Sequence, residues 1–106
     1  MRIVGLPELK IARTKPDMKS IKVGGKIIRK GGKKEVETKS GPATVSWAIL
    51  EGETGSIHLN LWRSQIDVVM VGDMVRLVNA FAKVYRGEIE LNIGLDGRIE
   101  VLERGA

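Results

Sequence analysis

Residues 56–62 read Ser-Ile-His-Leu-Asn-Leu-Trp, in which apolar and polar side chains alternate without a break. Successive side chains of a β-strand point to opposite faces, so this alternation predicts a strand with one buried face. The aliphatic side chains share the inner face: Ile57, Leu59 and Leu61. The other face is polar, carries His58 and Asn60, and ends at Trp62. We therefore expect an indole ring on the outside of a β-sheet.

Glycine and proline divide the rest of the chain into short runs rich in β-branched residues, which is typical of an all-β barrel or sandwich. The Gly24-Gly25 pair predicts a bulge or a sharp coil in the first strand. The predicted elements are strand one (Ser20–Ile28), a hairpin arm (Glu35–Lys39), strand two (Ala43–Leu50), strand three (Ser56–Trp62), strand four (Asp73–Tyr85), strand five (Glu88–Ile93) and a short last segment (Arg98–Leu102).

Residues 63–72 connect predicted strands three and four and are long enough for one helical turn, with Ile66 and either Val69 or Met70 facing inward. Such a pattern predicts an all-β, five-stranded OB-fold barrel with a short connector or one-turn helix between strands three and four. A small sandwich or another five-stranded barrel remains the alternative. The chain then divides into three parts: an N-terminal arm packed on the barrel (1–19), the barrel domain (20–102) and a short C-terminal end (103–106).

The composition includes few of the side chains that commonly act in catalysis. Without cysteine, the 106-residue chain has no disulfide framework, no thiol nucleophile and no zinc site built on Cys. Its single histidine, His58, has no acidic neighbour on its own strand face, so we expect no enzyme, metal or cofactor. Neither a membrane-spanning apolar stretch nor a signal peptide is found, which predicts a cytoplasmic protein.

Charge is distributed unevenly along the chain, whose formal net charge is +5. Residues 1–50 hold twelve Lys or Arg against four Asp or Glu, whereas residues 51–106 hold six against nine. A basic half favours a polyanionic partner, although a solvated lysine surface explains it equally well. Abundant Lys, Arg and Glu with few amide side chains are also typical of thermophilic proteins.

Three of the four aromatic residues are predicted to face outward. In strand four, the inward positions change from odd (Val75 and Leu77) to even, which predicts a bulge near Val78–Asn79. The even, inward positions after the change are Ala80, Ala82 and Val84, and the outward ones are Phe81, Lys83 and Tyr85. Together with Trp62, these two rings lie on two strands of a core that aliphatic side chains already fill.

Outward rings beside cations indicate a platform on which unpaired bases stack, each stack contributing roughly 1–3 kcal/mol. Rings that cover an open barrel mouth are the alternative. Trp47 is ambiguous, because strand two has apolar residues on both faces, so this ring is either core or a fourth stacking position. The candidate phosphate contacts are Arg63, Lys83 and Arg86, with Lys30, Lys33, Lys34 and Lys39 of the glycine-containing hairpin. The candidate base-edge contacts are His58, Asn60 and Asn92.

Short motifs in a fixed order support a family assignment. They are Leu9-Lys10, Lys15-Pro16-Asp17-Met18, Thr38-Lys39-Ser40-Gly41, Glu53-Thr54-Gly55-Ser56-Ile57 with Leu61-Trp62, Val71-Gly72-Asp73-Met74-Val75, Asn79-Ala80-Phe81 and Tyr85-Arg86-Gly87. Over roughly residues 9–102, the chain resembles the simple archaeal-type single-stranded DNA-binding proteins and their eukaryotic relatives, which are single OB-folds akin to replication protein A domains.

This resemblance implies a non-catalytic, largely sequence-independent binder of single-stranded DNA that acts in replication, recombination and repair. We also expect the protein to be monomeric and associated with the nucleoid. The resemblance also implies base stacking at the positions of Trp62, Phe81 and Tyr85. Trp47 stands where relatives have a non-aromatic residue. Relatives often carry a Gly/Arg-rich or acidic tail that recruits repair or replication proteins, and we expect this tail to be absent or truncated here. Single-stranded RNA binding, or a role as a protein-interaction subunit, is the alternative.

Overall fold

A computed structural model describes residues 19–105, apart from the side chain of Leu95. Strands dominate this part, as the sequence predicts. In chain order the elements are β1 (Ile21–Lys30), β2 (Lys34–Thr38), β3 (Gly41–Gly52), β4 (Gly55–Trp62), a 3-10 helix (Arg63–Asp67), β5 (Met74–Tyr85) and β6 (Glu88–Glu103). Predicted strands two to five correspond to β3, β4, β5 and β6. The predicted N-terminal arm lies almost entirely outside the described residues.

Five strands close into a barrel in the order β1-β5-β6-β4-β3, and β1 pairs with β3 to complete the ring. β1 pairs with β5 up to Lys26 and with β3 from Lys26 onward, so it coils from one half of the barrel to the other. Gly25 allows this coil, because a Cβ there would lie 2.6 Å from the Glu51 carbonyl oxygen. The predicted all-β OB-fold barrel is thereby confirmed, with β2 as a hairpin arm on the edge of β3.

The 3-10 helix closes one end of the barrel at the point where β4 ends. Ile66 and Val69 enter the aliphatic core, whereas Met70 is 62% exposed. Of the two residues that the sequence offers as the second inward position, Val69 is therefore the one that faces the core. The expectation that Val84 faces the core is wrong, since its side chain is 52% exposed. Val84 pairs with Ile89 where the β5–β6 ribbon projects beyond the closed barrel, so no opposing strand covers it.

The predicted bulge in strand four is confirmed. Register with β6 shifts between Val78 and Ala80, and Asn79 adopts a left-handed backbone with φ of 59°. β6 is 16 residues long and runs through this point, so predicted strand five and the last segment form one strand. Ile93 pairs with Ala80 and Arg98 with Val78, and the residues between them fold into a wide bulge opposite Asn79.

A buried carboxylate joins the loop before β5 to the end of the described chain. Asp73 accepts hydrogen bonds from the Met70 and Gly105 N–H groups and from the Arg104 guanidinium. The Gly105 and Met70 N–H groups and the adjacent Arg104 charge hold the pKa of Asp73 below its ordinary value of 3.8, against the opposing effect of burial. Within residues 19–105, no helix is long and apolar enough to cross a membrane.

Candidate nucleic-acid interface

One outer face of the barrel runs across four strands and carries all four aromatic side chains of the chain. Trp47 pairs with Asn60 across β3 and β4, His58 pairs with Glu90 across β4 and β6, and Phe81 pairs with Asn92 across β6 and β5. We call this surface the aromatic face. It consists of Trp47, His58, Asn60, Trp62, Phe81, Lys83, Tyr85, Glu90 and Asn92.

The strand order adds side chains of β6 to the aromatic face between the rings of β4 and β5. The sequence places rings on predicted strands three and four, which are β4 and β5, but β6 lies between them. A nucleic acid crossing from Trp62 to Phe81 therefore passes over Asn92 of β6. A path drawn only over the predicted strands that carry rings omits this intervening strand.

Trp62 is half-buried and held in place by two hydrogen bonds. Its indole Nε1 donates to Oδ1 of Asn92 at 3.2 Å, and its backbone N–H donates to Oε1 of Gln65 at 2.9 Å. The first bond fixes the ring over β6, and the second ties the residue to the 3-10 helix. A ring with a fixed orientation loses less conformational entropy when a base stacks on it.

A polar chain occupies the centre of the aromatic face. Asn60 Nδ2 donates to Glu90 Oε1 at 2.9 Å, and its Oδ1 lies 3.0 Å from His58 Nε2. The second Glu90 oxygen is 3.8 Å from the same His58 nitrogen. His58 has no acidic neighbour on its own strand, and the parallel pairing of β4 with β6 supplies one in Glu90. The candidate base-edge groups are thus already bonded to protein partners.

Trp47 lies on the outer side of the barrel, with 38% of its surface exposed, so it is not a core residue. Its ring stacks on His58 with centroids 5.9 Å apart and planes inclined by 30°. The Gly31 backbone lies so close to this ring that any Cβ at position 31 would overlap the indole. The Gly31 N–H also donates to the Trp47 carbonyl at 2.8 Å, and Ser46 Oγ donates to the Gly31 carbonyl at 2.8 Å.

Phe81 and Tyr85 each have a neighbouring cation. Lys83 Nζ lies 5.9 Å from the centre of the Phe81 ring, and Arg86 Cζ lies 5.3 Å from that of Tyr85. Tyr85 is 57% exposed at the end of β5, whereas Phe81 is half-buried. Such cation–π contacts are worth only about 0.5–1 kcal/mol at exposed sites, so the cations are free to move to a phosphate.

The hairpin lysines have different surroundings. Lys30 Nζ donates to the Ile66 and Val69 carbonyl oxygens, at 2.5 and 2.8 Å, and thereby joins β1 to the 3-10 helix and the loop after it. Lys33 lies 3.5 Å from Asp67 in an exposed ion pair. Lys34 and Lys39 are exposed, as is Arg63 beside Trp62. Lys30 therefore has only one N–H left for a phosphate, whereas the other hairpin cations are accessible.

No group of three or more His, Cys, Asp or Glu side chains in the described part of the chain is arranged to hold a metal ion. The two carboxylates with lowered pKa are bonded to arginines away from the aromatic face. Hydrogen bonds from Arg98 and Arg76 lower the pKa of Glu100, and Asp73 is bonded as described above. The chemistry that the aromatic face offers is stacking, hydrogen bonding and charge.

Comparison with known proteins identifies the family. The model of the OB fold of the Ssb-like single-stranded DNA-binding proteins matches residues 15–101. The chain belongs to the Ssb-like OB-fold family. This family consists of non-enzymatic proteins that bind single-stranded DNA. The Ssb-like assignment agrees with the resemblance drawn from the sequence motifs.

This Ssb-like chain is also similar to individual proteins of known sequence or structure. The single-stranded DNA-binding protein Ssb of Saccharolobus solfataricus is 32% identical over 92 residues, which cover 87% of this chain and 62% of that protein. Among solved structures, the OB domain of Ta0387 from Thermoplasma acidophilum has a TM-score of 0.78 at 26% identity, covering 92% of this chain and 89% of that one. The second OB-fold domain of replication protein A from Methanococcus maripaludis has a TM-score of 0.76 at 24% identity, covering 94% and 99%.

Two residues of the interface, Glu90 and Gly31, are not among the site residues predicted from the sequence. Glu90 is predicted to face outward, but only the strand order shows that it lies at the centre of the aromatic face. Gly31 belongs to a basic loop, and only the tertiary structure shows that its missing side chain makes room for Trp47. The glycine pair Gly31-Gly32 is the signal in the sequence, but it does not show which of the two the ring needs.

Proposed function

We propose that this protein binds single-stranded DNA without strong sequence preference, by stacking bases on Trp62, Phe81 and Tyr85. The observation that carries the proposal is the continuous outer face on which these rings lie, each beside a cation or a fixed amide. Every base has a flat π-surface, so stacking on such rings tolerates any sequence. Membership of the Ssb-like family supports DNA as the ligand.

The backbone of the bound strand is neutralised by the exposed cations that border the rings. Lys83 and Arg86 leave their aromatic neighbours and pair with phosphates, and Arg63 does so beside Trp62. Of the hairpin, Lys33, Lys34 and Lys39 serve as phosphate contacts, with Lys30 contributing least because two carbonyls hold it. Trp47 forms a fourth stacking position for a base, at the side of the aromatic face nearest the hairpin.

His58, Asn60 and Asn92 contribute mainly by fixing the surface on which bases lie. Their side chains bond one another, Glu90 and Trp62, so base-edge contacts use the hydrogen-bonding capacity that remains. A protein that recognises a specific DNA sequence needs unpaired hydrogen-bonding groups that face the base edges. This arrangement therefore favours weak sequence preference. We infer that the protein protects exposed single strands during replication, recombination and repair.

Fluorescence titration with oligo-dT at two salt concentrations tests the proposal. Base stacking quenches indole emission, and neutralising about four phosphates gives a log–log salt slope of about −3, at roughly −0.7 per contact. Unchanged emission with no measurable affinity at low salt would contradict the proposal. Competition with oligo-U then compares DNA with RNA, because only the sugar 2′-hydroxyl and the thymine methyl group distinguish the two strands.

A further inference from the structure

A recess lies beside Phe81, at the side of the aromatic face that is farthest from Trp47. Its volume is about 380 Å³, within the range of roughly 300–1,000 Å³ typical of ligand pockets. It is lined by the start of the described chain, by the β5 bulge and by Gly94 of β6. Ile21 of β1 pairs with Ala80, so the recess continues the aromatic face from β5 toward β1.

The Asn79 side chain lines this recess, and its amide is not bonded to the barrel. Its backbone forms the bulge with φ of 59°, a conformation that Asn tolerates better than most residues. Within residues 19–105, however, its side-chain amide makes no hydrogen bond, in contrast to Asn60 and Asn92. A half-buried amide without a protein partner offers two donors and one acceptor to a ligand.

The rest of the lining suits a flat, anionic ligand. Phe81 supplies an aromatic wall, and the lining is mostly apolar. Gly94 lets the β6 backbone lie close to the Asn79 bulge, because a Cβ there would lie 2.9 Å from the Asn79 carbonyl oxygen. Two exposed lysines, Lys19 and Lys83, stand at the rim. An apolar recess with an amide inside and cations outside matches one nucleotide, with its base inward and its phosphate at the rim.

We propose that this recess is a nucleotide subsite, which takes the base next to the one stacked on Phe81. The Asn79 amide bonds the Watson–Crick edge of that base, which is free in a single strand, and Lys19 pairs with the neighbouring phosphate. Thymine fits this amide well, since its N3–H donates to Oδ1 while O4 accepts from Nδ2. The proposal rests on the proposed function, and it lengthens the binding path by one nucleotide beyond Phe81.

The first test pairs a protein variant with a DNA variant. Asn79→Gly removes the amide and keeps the left-handed backbone that the bulge requires. In oligo-dT carrying one abasic position, moved along the strand, we expect one terminal position at which the missing base weakens wild-type binding roughly three- to tenfold. In the Asn79→Gly variant that penalty shrinks, because the base has lost its hydrogen bond to the amide and keeps only its apolar contacts. Equal penalties in the two proteins at every position would overturn the subsite.

Side-chain amide signals give a second, independent readout. The chain holds only three Asn and one Gln, so a ¹H–¹⁵N spectrum shows four NH₂ pairs, and Asn79→Gly identifies one of them by its loss. We expect the Asn79 pair to shift when oligo-dT long enough to reach the recess is added. A spectrum in which the rings respond and this pair stays in place would also overturn the subsite.

Matched charge variants test the rim. Lys19→Gln should weaken binding and lower the magnitude of the salt slope by about 0.7, the value of one phosphate contact. Lys26→Gln makes the same charge change within β1, away from the recess, and should leave the salt slope as it is. If wild-type protein fails to bind oligo-dT, the proposed function is wrong; if it binds but Lys19→Gln matches Lys26→Gln, only the subsite is wrong.

Discussion

The indole Nε1 of Trp62 donates a hydrogen bond to Oδ1 of Asn92, 3.2 Å away on the neighbouring strand. We expect Asn92→Leu to free the ring and weaken oligo-dT binding roughly two- to tenfold, since a neutral hydrogen bond contributes about 0.5–1.5 kcal/mol. Affinity measured by anisotropy of a labelled oligonucleotide tests this. Binding as tight as wild type would show that the ring needs no fixed orientation.

Removal of the Trp62 ring itself should cost more. Trp62→Ala is expected to weaken binding by roughly 1–3 kcal/mol, the value of one base–aromatic stack, while the domain stays folded. Trp62→Phe keeps a stacking surface and should retain most of the affinity. Circular dichroism checks the fold of both variants. Full affinity in folded Trp62→Ala would mean that the ring only covers the end of the barrel.

Glu90 places a carboxylate in the middle of a surface that we expect to bind phosphates. Glu90→Gln keeps an acceptor for Asn60 but removes the charge, so affinity for oligo-dT should rise at low salt and the gain should fade as salt screens it. Glu103→Gln makes the same charge change at the far end of β6 and is the control. Equal gains from the two variants would point to net charge rather than to the position of Glu90.

Adjacent glycines offer a test of the Trp47 environment. A Cβ at Gly31 would overlap the indole, whereas a Cβ at Gly32 has no neighbour within 4 Å. Gly31→Ala should therefore displace Trp47 from its stack on His58 and lower the melting temperature, and Gly32→Ala should do neither. Trp47 emission, recorded in a Trp62→Phe background, reports the displacement. The same spectrum and melting temperature for both variants would contradict this account.

Asp73 links the stability of the barrel to pH. Its hydrogen bonds, from the Gly105 N–H first, lower its pKa, so its stabilising effect is present above the unfolded-state value near 3.8 and is lost as the pH falls through the folded-state pKa. Asp73→Asn should destabilise the protein near neutral pH, and the difference from wild type should shrink in acid. Asp67→Asn, in an exposed ion pair, should have little effect at either pH.

Urea unfolding at about pH 7 and at about pH 2.5 measures both differences. An Asp73→Asn deficit that stays constant across this range would show that the carboxylate does not act through its charge. The arrangement at Asp73 matters for the interface only indirectly, because it holds the end of β6 against the loop before β5.

Strand alternation fixes which side of a strand a residue occupies, and this much could be predicted from the chain. The outward positions of Trp62, Phe81 and Tyr85 follow from a period of two, and the change of parity at Val78–Asn79 located the bulge. Val84 breaks the pattern because it lies where the ribbon leaves the barrel. Alternation carries no information about which positions another strand covers.

Most strands, the bulge and the outward rings could be predicted from local patterns, because these features depend on backbone geometry within a few residues. The contacts between side chains of different strands could not: Asn92 bonded to Trp62, Glu90 bonded to Asn60, and Gly31 against Trp47. Strand order arises from hydrogen bonding between segments that are distant in the chain, and local patterns do not encode it. The neighbours of each ring follow from that order.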